Sequence, residues 1–480
     1  MRTLRIFLPA LLILALALPA RAGNLDDEAQ SVVKLFVTSQ DWDLAQPWTK
    51  RHASQATCTG FFIKQGILTN AHCVADATYI EAEIPGRSDK VEVKVRAVNH
   101  QVDLALVHVR DLEIQKSAPK IDFGDLPEHR EKVVTIGYPR GGRQISYTEG
   151  VVSRIDIMGY AHSQLANLIV QTDAALNPGN SGGPVFSDDS NDCIGVATQG
   201  DRSGEGLGYF VPTPVIRQFL KDFSDGRVDG VTNLGVTYQT LENDAMRQWL
   251  GMGPKHTGVR VMKVARGSSA DGAIETDDVL LSINGTPIFN DGQVRFRGDK
   301  KIGFGYYLTD KQVGEKIKMR VLRGGKELAV DITLRPRRFS VIPLMPHYDE
   351  QPRYVYKGGL VFMAVEPRYL WRWGRQSLPI SLETYRRMPI GEEDLEELVV
   401  ISQVFDAPAN KGYGGQVENI RVTEINGKPI TKLSDAVLAL EAPGEDGFLR
   451  VELESGQAIV LSEKDVAEQD PYIRQRYNIR

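Results

Sequence analysis

The stretch Asn177-Pro178-Gly179-Asn180-Ser181-Gly182-Gly183-Pro184 constrains this chain more than any other. A serine sits among glycines, with an apolar run on each side. Glycine opens backbone angles closed to other residues and lets another chain approach the main chain closely. A serine that attacks a carbonyl needs an exposed hydroxyl, and it needs backbone N–H groups aimed at the oxygen that becomes negative. The plain alternative is a glycine-rich turn between two strands.

The partners of such a serine decide between these readings. A serine nucleophile requires a base, and the base requires an orienting carboxylate. Ile67-Leu68-Thr69-Asn70-Ala71-His72-Cys73 is a strand-like run ending in a histidine. Gln101-Val102-Asp103-Leu104-Ala105-Leu106-Val107 places an acid at the head of a buried run. Alone, His72 reads as a strand-end histidine and Asp103 as a cap. In the order His, Asp, Ser they match the chymotrypsin arrangement and neither that of subtilisin nor that of the α/β-hydrolases.

These motifs resemble the HtrA/Deg branch of the chymotrypsin-like serine proteases. The likeness extends through Val134-Thr135-Ile136-Gly137-Tyr138-Pro139, Thr148-Glu149-Gly150-Val151-Val152-Ser153, Gln171-Thr172-Asp173-Ala174-Ala175 and Gly208-Tyr209-Phe210-Val211-Pro212. It implies that Ser181 attacks, His72 carries the proton and Asp103 orients the ring. It also implies an oxyanion hole from the backbone N–H groups of Gly179 and Ser181. In these proteases a disulfide often joins the strand before the histidine loop to the residue after the histidine. Cys58 and Cys73 occupy those two places, and the alternative is a pair of small buried hydrophobes. Cys193 is left unpaired, in an apolar strand. Asp173 belongs to the family's Thr-Asp-Ala pattern and reads as structural. Ala175 stands where a trypsin-like enzyme carries its pocket acid. With Leu176, Ala197 and Thr198 it predicts a pocket for small or medium apolar side chains.

From about residue 30 to 225, short strands broken by turn signals predict β-barrels. Examples are Ser31–Thr38, Gly60–Ile67, Tyr79–Glu83, Val91–Val98 and Leu104–Val109, with a helix over Pro214–Phe223. The loop Ser39–Ala56 carries Trp42 and Trp48 and lacks a long Gln- or Gly-rich insertion. It departs from the commonest bacterial pattern in a region that often governs assembly.

After about residue 230, Ile283-Asn284-Gly285-Thr286-Pro287-Ile288 recurs as Ile425-Asn426-Gly427-Lys428-Pro429-Ile430. The Asn-Gly pairs signal hairpins, and the recurrence marks an internal repeat. Both copies resemble PDZ domains, which bind a peptide C-terminus as an added strand. Thr257-Gly258-Val259 is the expected carboxylate loop of the first copy, and Gly358-Gly359-Leu360-Val361 that of the second. The first copy carries an insert, Phe289–Lys311, similar to the plant Deg type. The fold class expected is mainly β: a chymotrypsin-like double β-barrel over 23–228, then two PDZ-like α+β domains over 229–338 and 354–467. Residues 339–353, rich in proline, read as a linker. Glu392–Glu397 reads as a solvated helix face, and 468–480 as a mobile polar tail.

The amino terminus has the grammar of a signal peptide. Arg2 and Arg5 precede an apolar run from Ile6 to Leu18, and Ala20-Arg21-Ala22 forms a small-x-small cleavage site. The run is shorter than the roughly 20 residues of a membrane span. An exported, periplasmic or otherwise extracytoplasmic protein without a stable membrane span is expected. The net charge of −5 across 480 residues, without a basic aromatic-studded tract, gives no reason to expect nucleic acid. No Cys or His cluster calls for a metal, and no cofactor is expected. The resemblance further implies ATP-independent proteolysis of unfolded proteins, peptide C-termini as ligands of the first PDZ unit, and trimers or multiples of trimers. The alternative is a chaperone-like or scaffold peptide-binding protein whose protease site mostly rests.

Overall fold

Strands separated by turns, several of them almost continuously apolar, build two closed six-stranded barrels in the computed structural model. It describes residues 25–142, 144–200, 206–337, 340–374, 378–388, 390, 394–444 and 446–479. The signal-like segment, residues 1–22, lies outside them. The first barrel runs, in spatial order, through Val32–Ser39, Ser54–Ile63, Gly66–Thr69, Leu104–Val109, Val91–Asn99 and Ala77–Glu83. The strand expected over Gly60–Ile67 is instead a hairpin, because the polar pair Lys64-Gln65 turns the chain inside an apolar run. The second barrel uses Lys132–Gly137, Ser146–Gly159, Ala166–Thr172, Gly208–Pro212, Cys193–Gly200 and Pro184–Ser187. Helix Thr213–Asp222 closes it by burying Val215, Ile216 and Phe219, with Pro214 in its first turn.

The first repeat copy is one sheet, ordered Val236–Thr240, Val259–Val264, Val279–Ile283, Lys316–Arg323 and Lys326–Thr333. Its insert folds into the hairpin Gln293–Arg295/Lys301–Gly303 and a 3-10 turn, Phe304–Leu308. Those elements dock the unit on the second barrel. Arg297 donates to the carbonyls of Leu126 (2.7 Å) and Pro127, and pairs with Glu128 at 3.1 Å. Gln312 donates to the carbonyl of Gln218 at 3.1 Å. The apolar core runs without a break from the barrels into this unit.

The second copy has a three-stranded sheet, Tyr354–Lys357, Leu360–Ala364 and Val399–Val404, and a four-stranded one ending in the hairpin Phe448–Leu453/Ala458–Ser462. Three expectations fail around it. The polar tail from 468 lies within helix Glu463–Tyr477, capped by Ser462, with Val466 and Ile473 buried. Its overall polarity and Pro471 hid two apolar anchors. The linker at 339–353 is not a free tether, since Val341 and Ile342 are buried with Leu44, Met363 and Tyr369. Within the acidic run, the described residues 394–397 form no α-helix; Leu395 is buried, and the Glu396 and Glu397 amides donate to Thr431.

The loop at 39–56 straps the first barrel to this second unit. Trp48 is buried against Tyr354 and Phe405, and its indole N–H donates to the carbonyl of Tyr477 at 2.9 Å. Truncating a buried tryptophan removes about 3–5 kcal/mol of packing. Trp48→Ala should therefore release the second unit, giving a separate low-temperature step in calorimetry; a single unshifted transition would contradict this docking.

Candidate active site

Asp103 is the centre of the cavity between the barrels. Its carboxylate is 1% exposed, and its backbone takes the left-handed angle φ 55°. The charge is held by donors on several sides. His72 donates its own backbone N–H to Oδ1 at 2.9 Å, and its ring Nδ1 lies 3.0 and 2.9 Å from the two oxygens. The Thr198 hydroxyl donates to Oδ2 at 2.5 Å, and Asn70 donates to the Asp103 carbonyl at 2.9 Å. Burial opposes the carboxylate's charge, but His72 and Thr198 outweigh it and keep the group below its ordinary range. Burial likewise opposes charging His72, and the Asp103 charge and hydrogen bond raise the imidazole above its ordinary range.

Ser181 lines the same cavity as His72 and Asp103. Its hydroxyl donates to the Thr198 carbonyl at 3.1 Å. Thr59 pins the serine loop from the first barrel. Its N–H donates to the Ser181 carbonyl (2.9 Å) and its hydroxyl to the Gly179 carbonyl (2.8 Å). Gly179 sits at φ 106°, and a Cβ there would lie 2.5 Å from the Arg140 nitrogen. At Gly182 a Cβ would stand 2.1 Å from the Thr59 carbonyl oxygen. These two glycines are thus demanded by close approach. The Pro178 carbonyl accepts from Arg140 (2.6 Å) and the Asn180 carbonyl from Gly183 (3.0 Å). In a trans peptide the N–H points away from its carbonyl. The Gly179 and Ser181 N–H groups accordingly have no partner among the described residues.

Residues 58–196 match the trypsin-like peptidase domain, and residues 232–334 and 343–480 each match a PDZ domain. The mitochondrial Protease Do-like 4 of Arabidopsis thaliana is 33% identical over 462 residues, covering 95% of this chain and 85% of the relative. The chain belongs to the Do-like, or HtrA/Deg, family of serine proteases. The chloroplastic Protease Do-like 2 of the same plant is 35% identical, covering 90% of this chain and 71% of its own. A probable periplasmic DegP-like endoprotease of Rickettsia conorii is 31% identical over 58% of this chain and 53% of the relative. The fold is shared with a solved HtrA-type protease carrying a decapeptide (TM-score 0.51, 22% identity, 65% of this chain and 96% of that one). Relatives of this Do-like protease thus carry both organellar and periplasmic names. Among the described residues no helix is long and apolar enough to cross a membrane.

Some of the expected site residues of this Do-like protease fall elsewhere. Leu176, Ala197 and Thr198 line the cavity, but Ala175 does not and is exposed. Thr198 is part of the cavity wall as expected, and its hydroxyl has the further task of holding Asp103. A threonine on the strand after the nucleophile was the available signal for that role. Asp173 accepts from the Val151 N–H at 2.6 Å and holds two strands together.

The expected loop Thr257-Gly258-Val259 is corrected by the sheet order. Strand Val259–Val264 lies between two others, so neither edge can take an added strand, and the Gly258 N–H donates to Asn290 at 3.1 Å. The edge strands are Lys326–Thr333 and Val236–Thr240, the latter entered through Asn233-Leu234-Gly235. In the second PDZ unit, Leu360–Ala364 is paired on both sides. Its Gly358 N–H already donates to the Asp470 carboxylate of the terminal helix, at 3.0 Å.

Cys58 and Cys73 are joined as a disulfide, with Cα atoms 6.1 Å apart, and Cys193 is a buried free thiol. Burial pushes the Cys193 thiol up to about 12. The bridge ties the His72 turn to strand Ser54–Ile63. Closing a loop of 15 residues stabilises by about 3 kcal/mol in the chain-entropy model. Reducing it, or Cys58→Ser with Cys73→Ser, should lower the denaturant midpoint by a corresponding amount, whereas Cys193→Ala should respond to oxidant and reductant as the native chain does.

Proposed function

We propose that this protease is an exported, ATP-independent endopeptidase of protein quality control, cutting unfolded or damaged proteins through Ser181, His72 and Asp103. The observation that carries this reading is the buried Asp103 carboxylate gripping His72 in the cavity that Ser181 lines. In the proposed sequence the Ser181 hydroxyl leaves the Thr198 carbonyl and turns to His72. His72 takes the proton as Oγ attacks the peptide carbonyl, and later returns it to the leaving amine. The unpartnered N–H groups of Gly179 and Ser181 receive the oxyanion. Thr198 and Asp103 keep the ring in place and stabilise its charged form. The apolar Leu176 and Ala197 favour small or medium apolar side chains before the cut. Peptide C-termini would pair with the free edge at Val236–Thr240 of the first PDZ unit. Assembly into trimers or their multiples, and export after removal of residues 1–22, complete the proposal; a mature amino terminus at Gly23 would support the latter.

Digestion of casein by the mature chain beside Ser181→Ala tests it. Cleavage lost in the variant supports the reading. Cleavage by neither, with client aggregation suppressed by both, favours the chaperone-like alternative. Peptide substrates ending in Val or Ala before the cut should be cleaved faster than those ending in Lys or Arg.

The pH profile gives a second check. His72 must be neutral to accept the serine proton, and Asp103 holds its protonated form stable. Activity should fall as pH drops through a limb lying above the ordinary histidine value of about 6.5. Thr198→Val should shift that limb upward, because Asp103 stays ionised there and loses a donor that shares its charge with His72; an unshifted limb would remove Thr198 from the proposed machinery.

A further inference from the structure

His162 lies in the turn between strands Ser146–Gly159 and Ala166–Thr172, and its side chain lines the cavity of His72 and Ser181. Its ring centroid is 6.0 Å from that of His72. Two more rings back it from outside the cavity. His100 Nδ1 is 2.9 Å from His162 Nε2, and Tyr348 stacks on His162 at 4.9 Å with the planes 23° apart. Tyr348 also lies 4.4 Å from the His100 ring. It belongs to neither barrel, but to the segment entering the second PDZ unit.

A latch fixes that segment. The Asp76 N–H donates to Asp349 Oδ1 at 2.6 Å, and the Asp349 N–H donates back to Asp76 Oδ1 at 2.8 Å. Asp76 Oδ2 then pairs with Arg368 of the second PDZ unit at 3.1 Å, and Arg368 pairs with Glu366 at 3.2 Å. Arg368 also donates to the His347 carbonyl. The latch therefore spans the first barrel, the segment and the second PDZ unit.

The substrate path makes His162 relevant. The carbonyl under attack must lie between Ser181 and His72, with its own side chain toward Leu176 and Ala197. Side chains alternate along an extended chain. The side chain of the preceding residue thus points the other way, to the His72 side, where His162 stands. Burial drives the His162 imidazole down to about 4, so it presents a neutral flat face rather than a charge.

We propose that His162 is a specificity-determining residue, the wall of a subsite for a ring-bearing or large apolar side chain immediately preceding the scissile residue, and that Tyr348 positions it. The second PDZ unit thereby supplies part of the substrate cleft. This rests on the Ser181–His72–Asp103 reading.

Two peptides differing only at that preceding residue, phenylalanine or glycine, test it. Tyr348→Ala and His162→Ala should raise KM for the phenylalanine peptide about 3- to 10-fold, the range of an aromatic pair. The glycine peptide should change much less under both variants. Tyr348→Phe keeps the stack and should behave as the native chain. Asp349→Ala loosens the latch and should give a smaller rise of the same selectivity. Equal changes for both peptides, or none, would overturn the proposal. Should Tyr348→Ala lower Tm enough to compromise folding, His162→Phe and Asp349→Ala decide: His162→Phe should retain the phenylalanine preference, and its loss there counts against the wall. Cleavage surviving in Ser181→Ala would sink the triad reading. Cleavage lost in Ser181→Ala, with both peptides responding alike in the other variants, would sink only this inference.

Discussion

A charged carboxylate with almost no solvent contact is the constraint that orders this molecule. Removing a charge from water is costly unless donors replace the water. Asp103 obtains donors from His72, both backbone and ring, and from the hydroxyl of Thr198, while Asn70 holds its carbonyl. His72 and Asn70 come from the first barrel and Thr198 from the second. The two barrels must meet in one registry for the charge to be satisfied, and that registry brings Ser181 to the same cavity. Thr59 reinforces it by holding the serine loop through two carbonyls.

The PDZ units are built into this arrangement rather than strung after it. The first shares a continuous core with the barrels and is pinned by Arg297. The second is strapped through Trp48 and latched through Asp76, Asp349 and Arg368. Each dock uses a feature that carried no readable role in the chain: an insert, a tryptophan-bearing loop and a proline-rich connection. In both, the strand after the expected loop, Val259–Val264 or Leu360–Ala364, is flanked by others, and the preceding strand, Val236–Thr240 or Tyr354–Lys357, stands at the sheet edge.

Much of the candidate site was legible because its chemistry is local. Ser181 announces itself through glycines that close approach requires, and His72 and Asp103 each stand at the end of a short apolar run. The barrels were legible through short strands broken by turn signals. Residues whose role depends on a partner far along the chain were not. Thr198 lines the cavity as its position suggests, but only the fold shows that its hydroxyl holds Asp103. Ala175 reads as pocket lining from its distance to the serine, but it is exposed and does not line the cavity. Thr257-Gly258-Val259 had a suitable loop composition, yet whether a strand has a free edge is a property of the sheet and not of the strand.

The sequence by itself determined the order of the three site residues, the double-barrel and PDZ grammar, and the family. These follow from spacing, turn chemistry and side-chain period, all encoded within a few residues. Only the tertiary structure decided which strand edges stay free, that the terminal polar stretch is a helix anchored by Val466 and Ile473, and that Tyr348 stands behind His162 at the rim of the cavity. Those facts depend on contacts between segments that are not neighbours in the chain. Their energy comes from burial and pairing, and a linear pattern of residue types does not state which segment meets which.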